Sequence, residues 1–236
     1  MPLKTAMASH GLAIFAKYIP GKAWTVLGRA AYISAQGFPM LNSSLISIKA
    51  QIMVIWTGFI LGLIPYVILQ GFTRLSVISI IFTIAATLFL MIKKIQNFIL
   101  ILLSKLIKKK IEMPVINFKQ LYKIAIYYFV YWFFLMIGFF LLVLSLYSDA
   151  SIIVAFVFPM AVVLGVLAII LPGGLGVREG IMIGYLGLVS IPIKVATSIS
   201  VLARLWFIIG EIFIFCVAFI MNRKKRVYTN TRGITQ

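Results

Sequence analysis

Apolar residues in this chain neither alternate nor keep to one helical stripe; they run on almost unbroken for long stretches. Four runs, Ala50–Leu69, Leu75–Ile92, Ile124–Tyr147 and Ser151–Leu171, are long enough to cross about 30 Å of hydrocarbon, which takes about 20 residues. A fifth, from about Val195 to Met221, is interrupted only by Arg204 and Glu211. Lipid cannot satisfy exposed backbone groups, so runs of this kind are helices. A membrane barrel would instead alternate apolar and polar residues in short segments. The pattern predicts an all-α membrane protein, a polytopic helical bundle with about five full spans plus two Pro/Gly-broken re-entrant or half-helix segments. It reads as one transmembrane domain over residues 1–236, ending in a basic tail over 222–236.

The first broken segment covers residues 12–47. It is mildly apolar but cut by Lys17, Pro20, Gly21, Lys22, Arg29 and Gln36, which suits a re-entrant or interfacial hairpin shielded by protein. Residues before it, Met1–His10, carry no signal-peptide pattern and read as a disordered start. Phe38–Ser47 reads as a turn into the first span, whose Gly58 and Gly62 form a GxxxG spacing. The second broken segment, 172–192, opens on Leu171-Pro-Gly-Gly-Leu-Gly-Val-Arg-Glu-Gly180. Pro172, Gly173, Gly174 and Gly176 stop the preceding helix, and a half-helix over Gly180–Ile191 restarts before Pro192. About 12 residues cover only about 18 Å. Between the broken segments, Ile95–Ile107 reads as an amphipathic surface helix. Tyr122, Tyr127, Tyr128, Tyr131 and Trp132 form an interfacial aromatic belt or a ligand-stacking row.

The two breaks repeat weakly. Ile19-Pro-Gly, Arg29, Gly37, Pro39, Ser43 and Trp56 can be laid on Leu171-Pro-Gly, Arg178, Gly187, Pro192, Thr197 and Trp206. Repeated broken helices point to a midplane binding site in transporters, whether the repeats run parallel or inverted.

Charge sharpens this picture. The chain has 22 Lys and Arg against four acidic residues, a formal +18, and 63% of its 236 residues are hydrophobic. The cations sit at the ends of apolar runs: Lys93, Lys94, Lys105, Lys108, Lys109, Lys110, Lys119 and Lys123 in one loop, and Arg223, Lys224, Lys225 and Arg226 after the last span. That placement marks cytoplasmic loops of a plasma membrane rather than nucleic-acid binding. If segment 172–192 re-enters, however, five spans put these two basic stretches on opposite sides. With one cysteine, Cys216, there is no disulfide framework or metal-ligand spacing, and a histidine-based catalytic set would have to be built around the single histidine, His10, near the start of the chain.

Arg178, Glu179, Arg204 and Glu211 lie at apparent membrane depth, and the repeat adds Arg29 if it is real; a charge there costs at least about 2.5–3.5 kcal/mol and needs a partner or a purpose. Arg204 and Glu211 share a face but sit about 10.5 Å apart along their helix, so each should meet a group from another segment. Arg178 and Glu179 open the half-helix, where free N–H groups and a guanidinium suit a phosphate. The alternative is a buried ion-pair network that locks the break.

Tyr18-Ile-Pro-Gly-Lys-Ala-Trp-Thr-Val-Leu-Gly-Arg29 and Leu171–Gly180 resemble the two signatures of the lysylphosphatidylglycerol synthase transmembrane-region, or flippase-like, family. The resemblance covers most of residues 12–221. It implies a bundle whose broken helices line a lipid-accessible cavity, with Arg29, Arg178 and Glu179 as its cavity residues. It also implies movement of an anionic lipid or a polyprenyl-phosphate-linked molecule between leaflets, without a cofactor. Two departures stand out: the chain starts almost on the first signature, as a truncated or short variant would, and it lacks the aminoacyl-transfer domain. The competing expectations are a membrane scaffold for a lipid- or glycan-modifying transferase partner and an intramembrane enzyme using Glu211 or Glu179.

Overall fold

A computed structural model describes residues 3–19, 23–107, 118–168 and 172–232, and among these the only regular structure is helical. The chain divides into two compact units. Unit 1 comprises Met1–Ile48, Ile169–Gly173 and Arg204–Gln236; unit 2 comprises Lys49–Ala168 and Gly174–Ala203.

Unit 1 is built on a helical hairpin. Helix α1 (Leu3–Leu12) passes into a 3-10 turn over Ile14–Tyr18, and α2 (Ala23–Ser34) folds back on α1. The turn ends because Ile19, which precedes Pro20, is extended at φ −79° and ψ 130°. The proline ring excludes the helical conformation from the residue before it. Pro20 and Gly21 themselves lie outside the described residues. Small side chains let the helices approach closely: a Cβ on Gly11 would lie 2.5 Å from Ala218 Cβ, and one on Gly28 would lie 3.3 Å from Ala13 Cβ. The start of the chain is therefore helical, not disordered. Thr5, Ala8 and Ser9 are buried there. Close packing of small residues, rather than an apolar stripe, is what orders α1.

Helix α3 (Met40–Gln70) follows and absorbs most of the stretch expected to be a turn. Ser43 and Ser47 bond back to the carbonyls of Pro39 and Ser43, satisfying their hydroxyls within the helix. After α3 come α4 (Arg74–Met91), capped by Thr73, then α5 (Lys93–Ile107) and α6 (Phe118–Leu144). A 3-10 turn over Ile152–Phe156 leads into α7 (Val157–Leu167). Another, over Pro172–Gly174, leads into α8 (Val177–Leu188), and α9 runs over Ile193–Arg232.

Four helices are long and apolar enough to cross a membrane: α3, α4, α6 over Gln120–Leu144, and α9 over Ile193–Arg223. The apolar run Ser151–Leu171 does not form a helix of spanning length. It is divided between the 3-10 turn, the 11 residues of α7 and the break, and α7 pairs with α8 as a second helical hairpin. Ile68, Ile78, Phe134, Phe213 and many other large apolar side chains are exposed on the long helices. A protein surrounded by water rarely exposes contiguous patches of that kind, whereas hydrocarbon accommodates them.

In unit 2 the GxxxG spacing is a real contact. A Cβ on Gly58 would lie 2.5 Å from Trp132 Cζ2, and one on Gly62 would lie 2.5 Å from Met160 Cβ. Trp132 is fully buried and its indole N–H donates to Val54 O and Thr57 Oγ1, both at 3.2 Å. It is a core residue rather than part of an interfacial belt. Tyr122, Tyr127 and Tyr131 remain exposed, as a belt requires.

Candidate functional site

In unit 1 the last residues before the first break meet the second half of α9. Glu211 is buried, and each of its carboxylate oxygens is engaged from the 3-10 turn. Oε1 pairs with the Lys17 ammonium and Oε2 accepts from Tyr18 Oη at 2.9 Å. The ammonium also lies over two rings, 5.1 Å from the Tyr18 centroid and 4.8 Å from that of Phe207. The pair is asymmetric: 31% of the Lys17 side chain is accessible but only 4% of that of Glu211. Phe15, one turn earlier, packs on Phe215 with centroids 5.2 Å apart, holding the turn against α9.

The second break reaches the same place. A Cβ on Gly173 would lie 2.8 Å from Tyr18 Cδ1 and 3.9 Å from Arg204 Nη2. Gly173 has φ +62°, so two constraints favour glycine: a left-handed backbone and the Tyr18 ring beside it. Unit 1 thus brings Gly173 of the second break, Arg204 and Glu211 to the residues that precede the first break. Arg29 lies on α2, where its charge and that of Lys17 act on His10 of α1. Glu211 is the sole acidic residue in the stretches that make up this unit. Of the cations in these stretches, Lys17 is seen to pair with it.

Arg178 and Glu179 belong to unit 2, where both are engaged locally. The Glu179 Oε2 accepts the Gly176 N–H at 2.7 Å, capping α8. Arg178 is buried with its guanidinium 5.0 Å from the Phe158 centroid. Helix α7 comes close because residue 165 is glycine: a Cβ there would lie 3.0 Å from Arg178 Cβ. Gly174 (φ +71°) packs on the same residue, and its Cβ would lie 2.6 Å from Gly165 O. Gly176 (φ +81°) has open space around it.

Unit 2 also holds an open groove of ≈ 360 Å³ lined by Leu61, Phe129, Val130, Phe133, Met136 and Phe156. Its lining carries no charged side chain, so it offers nothing to an anionic headgroup. Among the described residues no cluster of His, Cys, Asp and Glu could hold a metal ion.

Lys17 and Tyr18 are the site residues that sequence reasoning passes over. In the sequence Lys17 is only a break in an apolar run, although a lysine there needs a partner as much as Arg204 does. No family model, curated protein or solved structure matches the chain.

Proposed function

We propose that this protein binds an anionic lipid headgroup, a phospholipid or a polyprenyl-phosphate-linked molecule, at the unit 1 cluster and moves it across a cytoplasmic-type membrane. The observation that carries this reading is the convergence at Tyr18: the Lys17–Glu211 pair, Gly173 of the second break and Arg204 meet there, and Glu211 is the sole acidic side chain of the unit. A phosphodiester supplies the negative charge such a cluster accommodates. Arg29 and Arg204 hold the headgroup. Arg178 and Glu179, engaged with Phe158 and the α8 N-terminus, fix the second break.

The helix lengths support a membrane arrangement suited to this task. In our reading both hairpins, α1–α2 and α7–α8, re-enter, so α3, α4, α6 and α9 alone cross. Each hairpin is followed by one long helix, a recurrence we read as the counterpart of the weak sequence repeat. Three crossings separate the start of α3 from the second hairpin, so the two repeats enter from opposite sides and are inverted. Inverted repeats with broken helices are a recurrent transporter architecture. Four crossings also return the basic tail to the side of the α4–α6 loop. That removes the conflict with the positive-inside rule and puts both stretches in the cytoplasm.

The test is a fluorescent-lipid accessibility assay in reconstituted vesicles. Wild-type protein is expected to expose inner-leaflet phosphatidylglycerol to an external quencher, and Arg204→Gln to abolish the effect while remaining monodisperse. Unchanged lipid movement in a folded Arg204→Gln protein would refute the site.

A further inference from the structure

The Lys17–Glu211 pair carries a consequence for energetics. We infer that Glu211 is a resident counter-anion, which leaves Lys17 and takes up one proton when an anionic headgroup binds. This rests on the headgroup reading above and adds the coupling ion to it.

The two members of the pair are unequally exposed. With 31% of its side chain accessible, Lys17 is the member that an incoming anion meets, whereas Glu211, at 4%, is largely screened from solvent. The groups facing the carboxylate are few. Lys17 and Tyr18 reach it from the 3-10 turn. Arg204 lies two turns away on its own helix, about 10.5 Å along the axis. Arg29 on α2 and His10 on α1 share the electrostatic neighbourhood of Lys17. The second break contributes backbone at Gly173, beside Tyr18. Tyr18 donates a hydrogen bond but no charge.

When the Lys17 ammonium turns to a phosphodiester, Glu211 keeps only that neutral hydrogen bond. A buried carboxylate without a cation is strongly unfavourable, and such a group neutralises instead. The balance is simple. Before binding, ammonium and carboxylate sum to zero. Afterwards phosphodiester and ammonium sum to zero, and Glu211 is a neutral carboxylic acid holding one proton from solvent. The pair therefore has the same net charge with the headgroup as without it, which is what crossing hydrocarbon demands. Each headgroup bound brings one proton, so a proton gradient can drive lipid movement.

The experiment is titration calorimetry of the full chain in uncharged-detergent micelles with dihexanoylphosphatidylglycerol. It is run at one near-neutral pH in two buffers of different ionisation enthalpy. The phosphodiester itself does not titrate there, so a buffer-dependent heat reports protons taken up by the protein. The expected result is about one proton taken up per lipid, with affinity weakening about tenfold per pH unit as pH rises. Glu211→Gln should bind with no proton uptake and a flat pH profile, and His10→Gln should behave as wild type. Binding without proton uptake in the wild type overturns the coupling and leaves the headgroup site standing. Uptake lost in His10→Gln overturns the assignment to Glu211. Glycerophosphoglycerol, the same phosphodiester without chains, should bind at least tenfold more weakly. Equal binding would assign the site to a soluble anion and overturn the lipid reading. Absence of binding by either compound overturns the proposed function together with this inference. The wild-type measurement needs no variant, so a Glu211→Gln protein that fails to fold leaves the test decisive.

Discussion

Lys17→Met should destabilise the protein far more than Glu211→Gln, although the two remove partners of the same ion pair. Replacing Lys17 leaves Glu211, 4% accessible along its side chain, with a single hydrogen bond from Tyr18. Breaking a buried pair by removing one member costs about 3–5 kcal/mol, because the remaining charge is uncompensated. Replacing Glu211 leaves Lys17, whose side chain is 31% accessible and whose ammonium still lies over Tyr18 and Phe207. A cation over an aromatic face keeps about 0.5–2 kcal/mol, and the amide oxygen introduced by Glu211→Gln still accepts from Tyr18. The expected cost is then about 1–2 kcal/mol, discounted for solvent screening. The double replacement removes both charges and keeps the Tyr18 bond, so it should fall within about 1 kcal/mol of wild type. The cycle gives a coupling energy of about −3 kcal/mol or beyond, with the singles together costing more than the double. Denaturant unfolding of the purified protein in mixed micelles measures all four proteins. Lowering the pH should narrow the Lys17→Met deficit, since a protonated Glu211 needs no cation. Equal costs for the two singles, or additivity in the double, would refute the asymmetry argued from exposure.

Other positions test other contacts. Gly174→Ala combines a left-handed backbone, about 1–2 kcal/mol for a non-glycine residue, with a Cβ 2.6 Å from Gly165 O; it should abolish a folded, monodisperse preparation. Gly176→Ala meets open space at φ +81° and should cost only the backbone term, read as a small drop in melting temperature. Gly58→Ala drives a methyl into the Trp132 ring, so Gly58→Ala with Trp132→Phe should be less destabilised than the sum of the singles in the same unfolding assay. In a Cys216→Ser background, cysteines at positions 109 and 229 should react with a membrane-impermeant thiol reagent from the same, cytoplasmic side; labelling from opposite sides would defeat the four-crossing reading. Arg178→Met should lower stability yet keep binding of dihexanoylphosphatidylglycerol, whereas Arg204→Gln should keep stability and lose binding.

Most of the long helices are legible in the sequence because hydrophobic length alone decides them. The run Ser151–Leu171 is not, for the same reason. An unbroken apolar stretch can be one span or a 3-10 turn plus a short buried helix, and periodicity cannot separate them. What separates them is a neighbour: α8, which pairs with α7, and Gly165, which lets α8 approach. Helix α1 escapes a sequence reading because its order comes from small residues packed on α9, a contact with no local signature. Trp132 reads by its position along the chain as part of a belt, while its burial depends on Gly58 lying opposite. The expectation that Arg204 and Glu211 meet groups from other segments names the need but not the partner, since 194 residues separate Lys17 from Glu211.

Charge motifs that look alike in sequence do different work once their surroundings are known. The Arg178–Glu179 dipeptide is the more conspicuous signal, with two charges beside three glycines. Its carboxylate caps a helix and its guanidinium lies over Phe158, both within unit 2. Lys17 and Glu211 are inconspicuous, one inside a mildly apolar stretch and the other alone in a long span. Their pairing places the sole carboxylate of unit 1 against a partly accessible cation, which no local pattern displays. In the reading proposed above, that carboxylate stands in for the headgroup as the counter-charge of Lys17. The exposure of the pair, rather than the density of charge in either signature, is what points to Glu211 in that proposal. It is also why Glu211, not Arg178, is the residue whose replacement should separate binding from its coupling to protons.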